Sequence, residues 1–416
     1  MDQPPLRLGL GLVALTFYLW VIHSYKLPAG DIAVLGLGIG VLLRGGQIRI
    51  PAPLAVMGLF IAWSAVGLAV TERADLTWTA IVNLGKLWVI VFCIMNLVRS
   101  GSELRFVVIA WLAIYALYPI RGALYNQYIC HCTTLGRVAW NFIFANPNDL
   151  AAISMLPLGL TAAVAVVERV KVWRIAGLLG VGVLALTIML TQSRAAMLGI
   201  GLAAVLLPLS SRRKRRDLFL LAVFLGVAAL AAPKGVWVRL AGLTNVSVRQ
   251  GMSNVDPERS AESRWAIWQI AFVSIREQPL TGVGLDMQPL KHRQEAERRG
   301  AWWTVRGERD THSTYIRLTA EMGFPGLAIY LVMWGLVVAK LRTVRKRLRH
   351  QRPREHQALL FVELAVLAYL VASIFGSYGL LSFNYLALTF AWMMADVLER
   401  EPWYVPPRLR VLPARR

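Results

Sequence analysis

Four stretches of this chain carry side chains able to do chemistry, each set against an apolar background. The sharpest is Asp310-Thr311-His312-Ser313-Thr314-Tyr315, followed by Glu321, Gly323, Pro325 and Gly326. His312 falls at or near the start of a predicted helix, where the helix dipole disfavours a protonated imidazole. A neutral imidazole there is suited to take a proton from a hydroxyl. The alternative is a structural histidine at a membrane interface. The second stretch is Thr191-Gln192-Ser193-Arg194-Ala195, between two apolar runs. The Arg194 guanidinium offers several donors in one plane and keeps its charge, which suits phosphate. A simple interfacial anchor is the alternative.

The third stretch runs from Asp256 to Gly284. Asp256-Pro257 reads as an N-cap with proline in the first turn. Trp265, Trp268, Phe272 and Ile275 recur at helical spacing, and Pro279, Gly282 and Gly284 end the run. The result is an amphipathic helix that lies on a membrane surface, caps a cavity, or is an ordinary surface helix. Arg264 sits one turn before Trp268, placed to stack on it or to hold an anion. The fourth is Lys86, a basic residue well inside an apolar run. Intramembrane charge is costly and by default functional; a lysine snorkelling from the end of a span is the competing explanation.

The elements that must position these residues are membrane helices. The 416 residues are 57% hydrophobic and only 16% charged, too apolar for an ordinary soluble domain. The apolar residues come in blocks of about 16 to 22, the length of a helix across the hydrocarbon layer, and only helices or closed barrels satisfy their backbone there. Spans are expected near 6–24, 28–43, 52–70, 79–98, 105–119, 149–167, 174–191, 195–210, 217–232, 314–341, 357–374 and 378–397. The expectation is an all-α integral membrane protein of about twelve transmembrane helices. It forms one polytopic domain over 1–416, with a large outer loop at 233–313 between the ninth and tenth spans. Met1–Ser24 reads as the first anchor rather than a cleavable signal.

The net charge of +22 arises from 45 Lys and Arg against 23 Asp and Glu, and its placement argues against nucleic acid. Arg212 to Arg216, the stretch from Lys340 to Arg354 and the tail ending Arg415-Arg416 lie on the side of the N-terminus, as the positive-inside rule expects of cytoplasmic segments. Both termini are therefore assigned to the cytoplasm, and the basic clusters to topology and to contacts with anionic membrane lipids. The loop 233–313 is basic yet outside, a place to hold an anionic lipid head group. Cys130-His131-Cys132 lies in another outer loop and suits a disulfide, or part of a metal site with an incomplete ligand set.

Five motifs occur in a telling order: Arg137 with Phe144-Ala145-Asn146-Pro147-Asn148-Asp149; Thr191 to Ala195; Arg264 with Trp268; Pro279-Leu280-Thr281-Gly282-Val283-Gly284; and His312 to Tyr315 with Glu321-Met322-Gly323-Phe324-Pro325-Gly326. Together, over about residues 75 to 395, the chain resembles the O-antigen ligase and polymerase superfamily of bacterial inner-membrane glycosyltransferases. The resemblance implies a GT-C-like, metal-independent, inverting enzyme with no cofactor, acting at the periplasmic face. Its donor would be a glycan on undecaprenyl diphosphate. The absence of an Asp-x-Asp pair agrees with this. Within the superfamily the compact chain with one large late outer loop favours an O-antigen ligase, whose acceptor is the lipid A core oligosaccharide. A polymerase, a protein O-oligosaccharyltransferase and, on a different principle, a lipid-linked glycan flippase are the alternatives.

The roles follow as expectations. His312 orients or deprotonates the acceptor hydroxyl. Arg194 and Arg264 hold the diphosphate and stabilise the charge that grows on it. Lys86 and Arg137 are further candidates for the same anion, and Trp268 and Tyr315 for other substrate contacts. Arg194, Arg264 and His312 should line one cavity near the outer leaflet.

Overall fold

The computed structural model describes residues 9–24, 29–210, 260–300, 303 and 305–403, with scattered positions between 214 and 237. Its described residues are helical throughout, apart from turns and a single β-bridge between Thr134 and Arg137. In chain order the helices are α1 (Leu10–His23), α2 (Gly30–Arg44), α3 (Ala52–Val66), α4 (Ala74–Leu97) and α5 (Gly101–Tyr115). Then come α6 (Arg121–Tyr128), α7 (Pro147–Ile153), α8 (Met155–Val167), α9 (Lys171–Leu190) and α10 (Arg194–Ser210). After the less described stretch follow α11 (Ser260–Glu277), α12 (Gln288–Arg298), α13 (Thr314–Gln351), α14 (Pro353–Ala372) and α15 (Ser382–Arg400).

Among the described residues, seven helices are long and apolar enough to cross a membrane, α5 with α6 and α7 with α8 each counting as one; α1 and α10 are shorter apolar helices. The expected span at 217–232 and the Asp256-Pro257 helix start fall almost wholly or wholly outside the described residues. The last expected span, 378–397, is shifted: its helix begins only at Ser382, because Gly376 to Leu381 form a turn.

Helix α14 sits at the centre, packed against α8, α10 and α13. Small residues permit the close approach, as is usual between membrane helices. A Cβ on Gly159 of α8 would lie 2.4 Å from the Ala365 methyl, and one on Gly199 of α10 would lie 2.4 Å from the Ala368 carbonyl oxygen. Several buried polar groups in the bundle find partners, as burial in hydrocarbon favours. The Tyr330 and Tyr369 hydroxyls both donate to Asn384 Oδ1, at 2.9 and 3.2 Å. His23 accepts from Trp111 Nε1 at 2.9 Å while its Nδ1 meets the Leu19 carbonyl.

Helix α13 is two helices joined at a kink. Gly323 takes φ +67° and ψ −178°, a backbone open to glycine, and Pro325 removes a helical donor just beyond it. The carbonyls freed by the kink are claimed by other segments. Val283 N–H donates to Ala320 O at 2.9 Å, Gly284 N–H to Glu321 O at 3.1 Å, and Trp63 Nε1 to Met322 O at 2.9 Å. In return Phe324 N–H donates to Pro279 O at 2.8 Å. The Pro279–Gly284 turn is thus keyed into the kink, and a Cβ on Gly282 would strike the Glu321 backbone at 2.2 Å. This lock places the end of α11 beside the start of α13, which is where the candidate site forms.

Candidate active site

Two turns carry the site. In the first, α9 ends at Leu190 and α10 begins at Arg194. Gln192 between them has φ +52°, and the Ser193 N–H donates to Thr191 Oγ1 at 3.3 Å. Ser193 Oγ then accepts from Ala196 N–H at 3.5 Å, capping the new helix. Arg194 therefore occupies the first helical position, where a cation opposes the helix dipole. A helix start gains nothing from an arginine there, but the arginine adds to a field that attracts anions.

In the second turn, Thr311 leads through His312, at φ +49°, to Ser313 and α13. Ser313 N–H donates to Thr311 Oγ1 at 3.3 Å, and Ser313 Oγ accepts from Ile316 N–H at 3.4 Å. A left-handed histidine is uncommon and persists where the surroundings over-determine it. They do so here. Trp268 Nε1 donates to Thr311 O at 2.7 Å, Ser377 Oγ to Asp310 Oδ1 at 2.8 Å, and Thr314 N–H and Oγ1 to Gly376 O at 2.9 and 2.7 Å.

Charges gather around His312. Burial holds its imidazole below the ordinary histidine value; Asp310 opposes that shift, and Arg264, Arg309 and Arg317 add to it. The imidazole is accordingly neutral near neutral pH. Asp149, in the first turn of α7, lies within electrostatic range of both Arg264 and Asp310. Tyr378 is buried among the same three groups; burial raises its phenol, Asp149 and Asp310 add to this, and Arg264 opposes it. Arg317 is a hub for three carboxylates, bonding Glu321 at 2.9 Å, Asp310 at 3.4 Å, and Asp286.

The other expected residues fall into distinct places. Arg137 spans from one turn to the next element: its Nε donates to Thr191 O at 2.9 Å and its Nη2 to Asn148 Oδ1 at 2.7 Å. It thus ties the Arg194 turn to α7, whose Asn148 carbonyl accepts from the Tyr378 hydroxyl at 3.3 Å. Arg137, α7 and Tyr378 thus connect the Arg194 turn to Thr314 at the start of α13, while Arg264 enters through its charge on His312, Asp149 and Tyr378. Trp268 holds the His312 segment and stacks against Phe375, with ring centroids 6.4 Å apart. The Tyr315 hydroxyl is committed to α14, donating to Leu370 O at 2.7 Å. Lys86 is exposed on the flank of α4, and no hydrogen bond or ion pair among the described residues joins it to this cluster. Cys130 and Cys132 are paired as a disulfide.

Asp149, Arg317, Ser377 and Tyr378 were not singled out from sequence. Asp149 stood within a quoted motif and Arg317 was only one charge in a basic region; Ser377 and Tyr378 lay at the start of an apolar run.

Residues 179–331 match the family model described as O-Antigen ligase, a segment that holds Arg194, Arg264, Trp268, His312 and Arg317 but not Arg137, Asp149 or Tyr378. No curated protein matches the chain. The ordered motifs and the matched segment together support the resemblance of this chain to the O-antigen ligase and polymerase superfamily.

Proposed function

We propose that this protein is an O-antigen ligase, transferring a glycan from undecaprenyl diphosphate to the lipid A core oligosaccharide at the periplasmic face of the bacterial inner membrane. The observation that supports this reading is a neutral, half-buried His312 within electrostatic range of Arg264, with Arg137 tying the Arg194 turn to α7. That set offers one base and two permanent cations, which suits displacement of a diphosphate by a hydroxyl. About twelve spans, cytoplasmic termini and an outer loop over 233–313 complete the proposed topology.

In this mechanism the acceptor hydroxyl attacks the anomeric carbon as its bond to the diphosphate oxygen breaks, inverting the centre in one step. The hydroxyl proton passes to the free nitrogen of neutral His312. The electron pair of the broken bond stays on undecaprenyl diphosphate, and Arg194 and Arg264 stabilise that growing charge, as preorganised donors do in a water-poor site. Trp268 and Tyr315 shape the site through the helices they pin.

The test is a lipopolysaccharide gel from a deletion strain rescued with wild type or His312→Ala, with analysis of the undecaprenyl-linked glycan. Loss of the ladder with full-length polymer stranded on the carrier is the expected result. Single stranded repeats would make the protein a polymerase. An unchanged ladder in the deletion strain would redirect the assignment to a protein acceptor or to lipid-linked glycan transport.

A further inference from the structure

Three residues between α14 and α15, Gly376-Ser377-Tyr378, bind almost every part of the candidate site without belonging to any motif that identified it. Gly376 O accepts from both the N–H and the hydroxyl of Thr314. Ser377 Oγ bonds Asp310 Oδ1 at 2.8 Å and lies 3.2 Å from Thr311 Oγ1. Tyr378 N–H donates to Thr314 Oγ1 at 2.8 Å, and its hydroxyl reaches Asn148 O on α7. The Tyr378 ring folds back so tightly that a Cβ on Gly376 would lie 2.2 Å from it. The segment is a strap across the residues on either side of His312.

We propose that this strap is a positioning element for the transfer reaction, with Ser377 acting through Asp310 to set how His312 is presented and how strongly it holds a proton. The proposal rests on the reading of His312 as the proton acceptor. Asp310 Oδ1 accepts from both the Ser377 hydroxyl and Arg317 Nη1, so one oxygen of its carboxylate is held by the strap and by α13 together. Removing the Ser377 hydroxyl takes away one of these donors, leaving Arg317 as the other, and frees the carboxylate's charge to act more strongly on protonated His312. The groups that face His312 are Asp310 and Arg309 on its own segment, Arg264 from α11 and Arg317 from α13, with Asp149 of α7 and Tyr378 of the strap acting on Asp310 and Arg264. Of these, only Asp310 is held by the strap through a side-chain hydroxyl that can be deleted without altering charge.

The experiment uses the full chain in nanodiscs with ¹³C-labelled histidine, the His312 resonance being assigned by its loss in His312→Gln. Imidazole titrations are recorded for wild type, Ser377→Ala, Ser377→Thr and Asp310→Asn, alongside transfer rates against pH. Ser377→Ala is expected to raise the His312 titration by about half a pH unit or more, and Asp310→Asn to lower it. The acid limb of transfer should move with the titration, kcat should fall, and the donor KM should stay within about twofold, the pattern of an effect beyond ground-state binding. Ser377→Thr, which keeps the hydroxyl, should titrate as wild type. A Ser377→Ala protein whose His312 titrates as wild type overturns the proposal, as does a loss of transfer uniform across pH. The titration needs no turnover. If His312→Ala transfers normally, the functional reading fails, while the strap's action on His312 is still judged on its own.

Discussion

The Thr191–Arg194 and Thr311–Thr314 turns are the same backbone device used twice. Each runs Thr-x-Ser into a helix, with x left-handed at φ +52° for Gln192 and +49° for His312. In each the Ser N–H meets the Thr hydroxyl at 3.3 Å and the Ser hydroxyl caps the helix. Even the external anchor repeats: Thr191 O accepts from Arg137 Nε, and Thr311 O from Trp268 Nε1. What differs is the side chain presented. The first turn offers its charge one position into the helix, at Arg194. The second offers its imidazole at the left-handed residue itself. A left-handed position turns a side chain away from the path of the following helix, so it suits a base that must meet substrate. A first helical position suits a cation meant to add to the field of the helix start. The comparison teaches that local backbone chemistry fixes where a group is shown, and the residue at that place fixes what it does.

The comparison breaks most sharply at His312. His312→Ala should lower transfer by about 10² to 10⁴-fold, the range of a lost general base, measured with purified protein and lipid-linked glycan. The wild-type rate should fall as pH drops through the histidine titration. Burial depresses that titration, so the neutral, competent form persists to lower pH than an exposed histidine would allow. The sign is definite: protonation removes the base, and the limb is on the acid side. A bell or limb centred well above the ordinary histidine range would point to another group.

Next in size are the cations. Arg264→Ala and Arg194→Ala should each cost about 10² to 10³-fold, as for loss of a donor to a developing anion, with the product diphosphate binding more weakly in an inhibition assay. Arg137 separates two explanations of its importance. If it supplied charge to the diphosphate, Arg137→Lys would retain most activity. Two of its hydrogen bonds run to Thr191 O and Asn148 Oδ1, a span that a lysine point charge does not reproduce. Arg137→Lys should therefore resemble Arg137→Ala, each losing about tenfold or more through one or two charge-assisted bonds. Near-normal transfer in Arg137→Lys would restore the anion-binding role.

How much of this was legible follows from where each signal lies along the chain. The spans announce themselves as apolar blocks because lipid demands unbroken helices. His312, Arg194 and Arg264 stand out as polar residues beside such blocks. Pro279 to Gly284 reads as a helix end, and Gly323 to Pro325 lies inside an expected span. Both stand in the ordered motifs, but their contact is not legible, since the bonds that key them together join backbone groups some forty residues apart and carry no side-chain signature. Arg317 reads as surplus charge because two of its three carboxylate partners, Asp286 and Asp310, are brought to it by folding, and only Glu321, at i+4 on the same helix, is paired by spacing. Ser377 and Tyr378 were hidden by their own neighbours: an apolar stretch reads as span whether its first residues are helix or strap.

The smallest effect isolates the backbone of the two turns from their chemistry. A left-handed alanine costs about 1 kcal/mol or more relative to glycine, which has no Cβ to clash. At position 192, glycine and alanine both lose the Gln192 bond to Gly136 O, so comparing Gln192→Gly with Gln192→Ala cancels that term and leaves the φ penalty. The glycine variant should melt higher than the alanine variant by about 1–2 °C in a chain of this size, and both should transfer at a substantial fraction of the wild-type rate. The same pair at position 312 should show the same thermal difference, with transfer lost in both. Equal differences at 192 and 312 would establish that the turns are mechanically equivalent and that function resides in the imidazole alone. A difference at 192 with none at 312 would mean that the second turn relaxes once the imidazole is gone, so that the left-handed geometry there is held by the histidine's own contacts rather than by the Thr-x-Ser backbone.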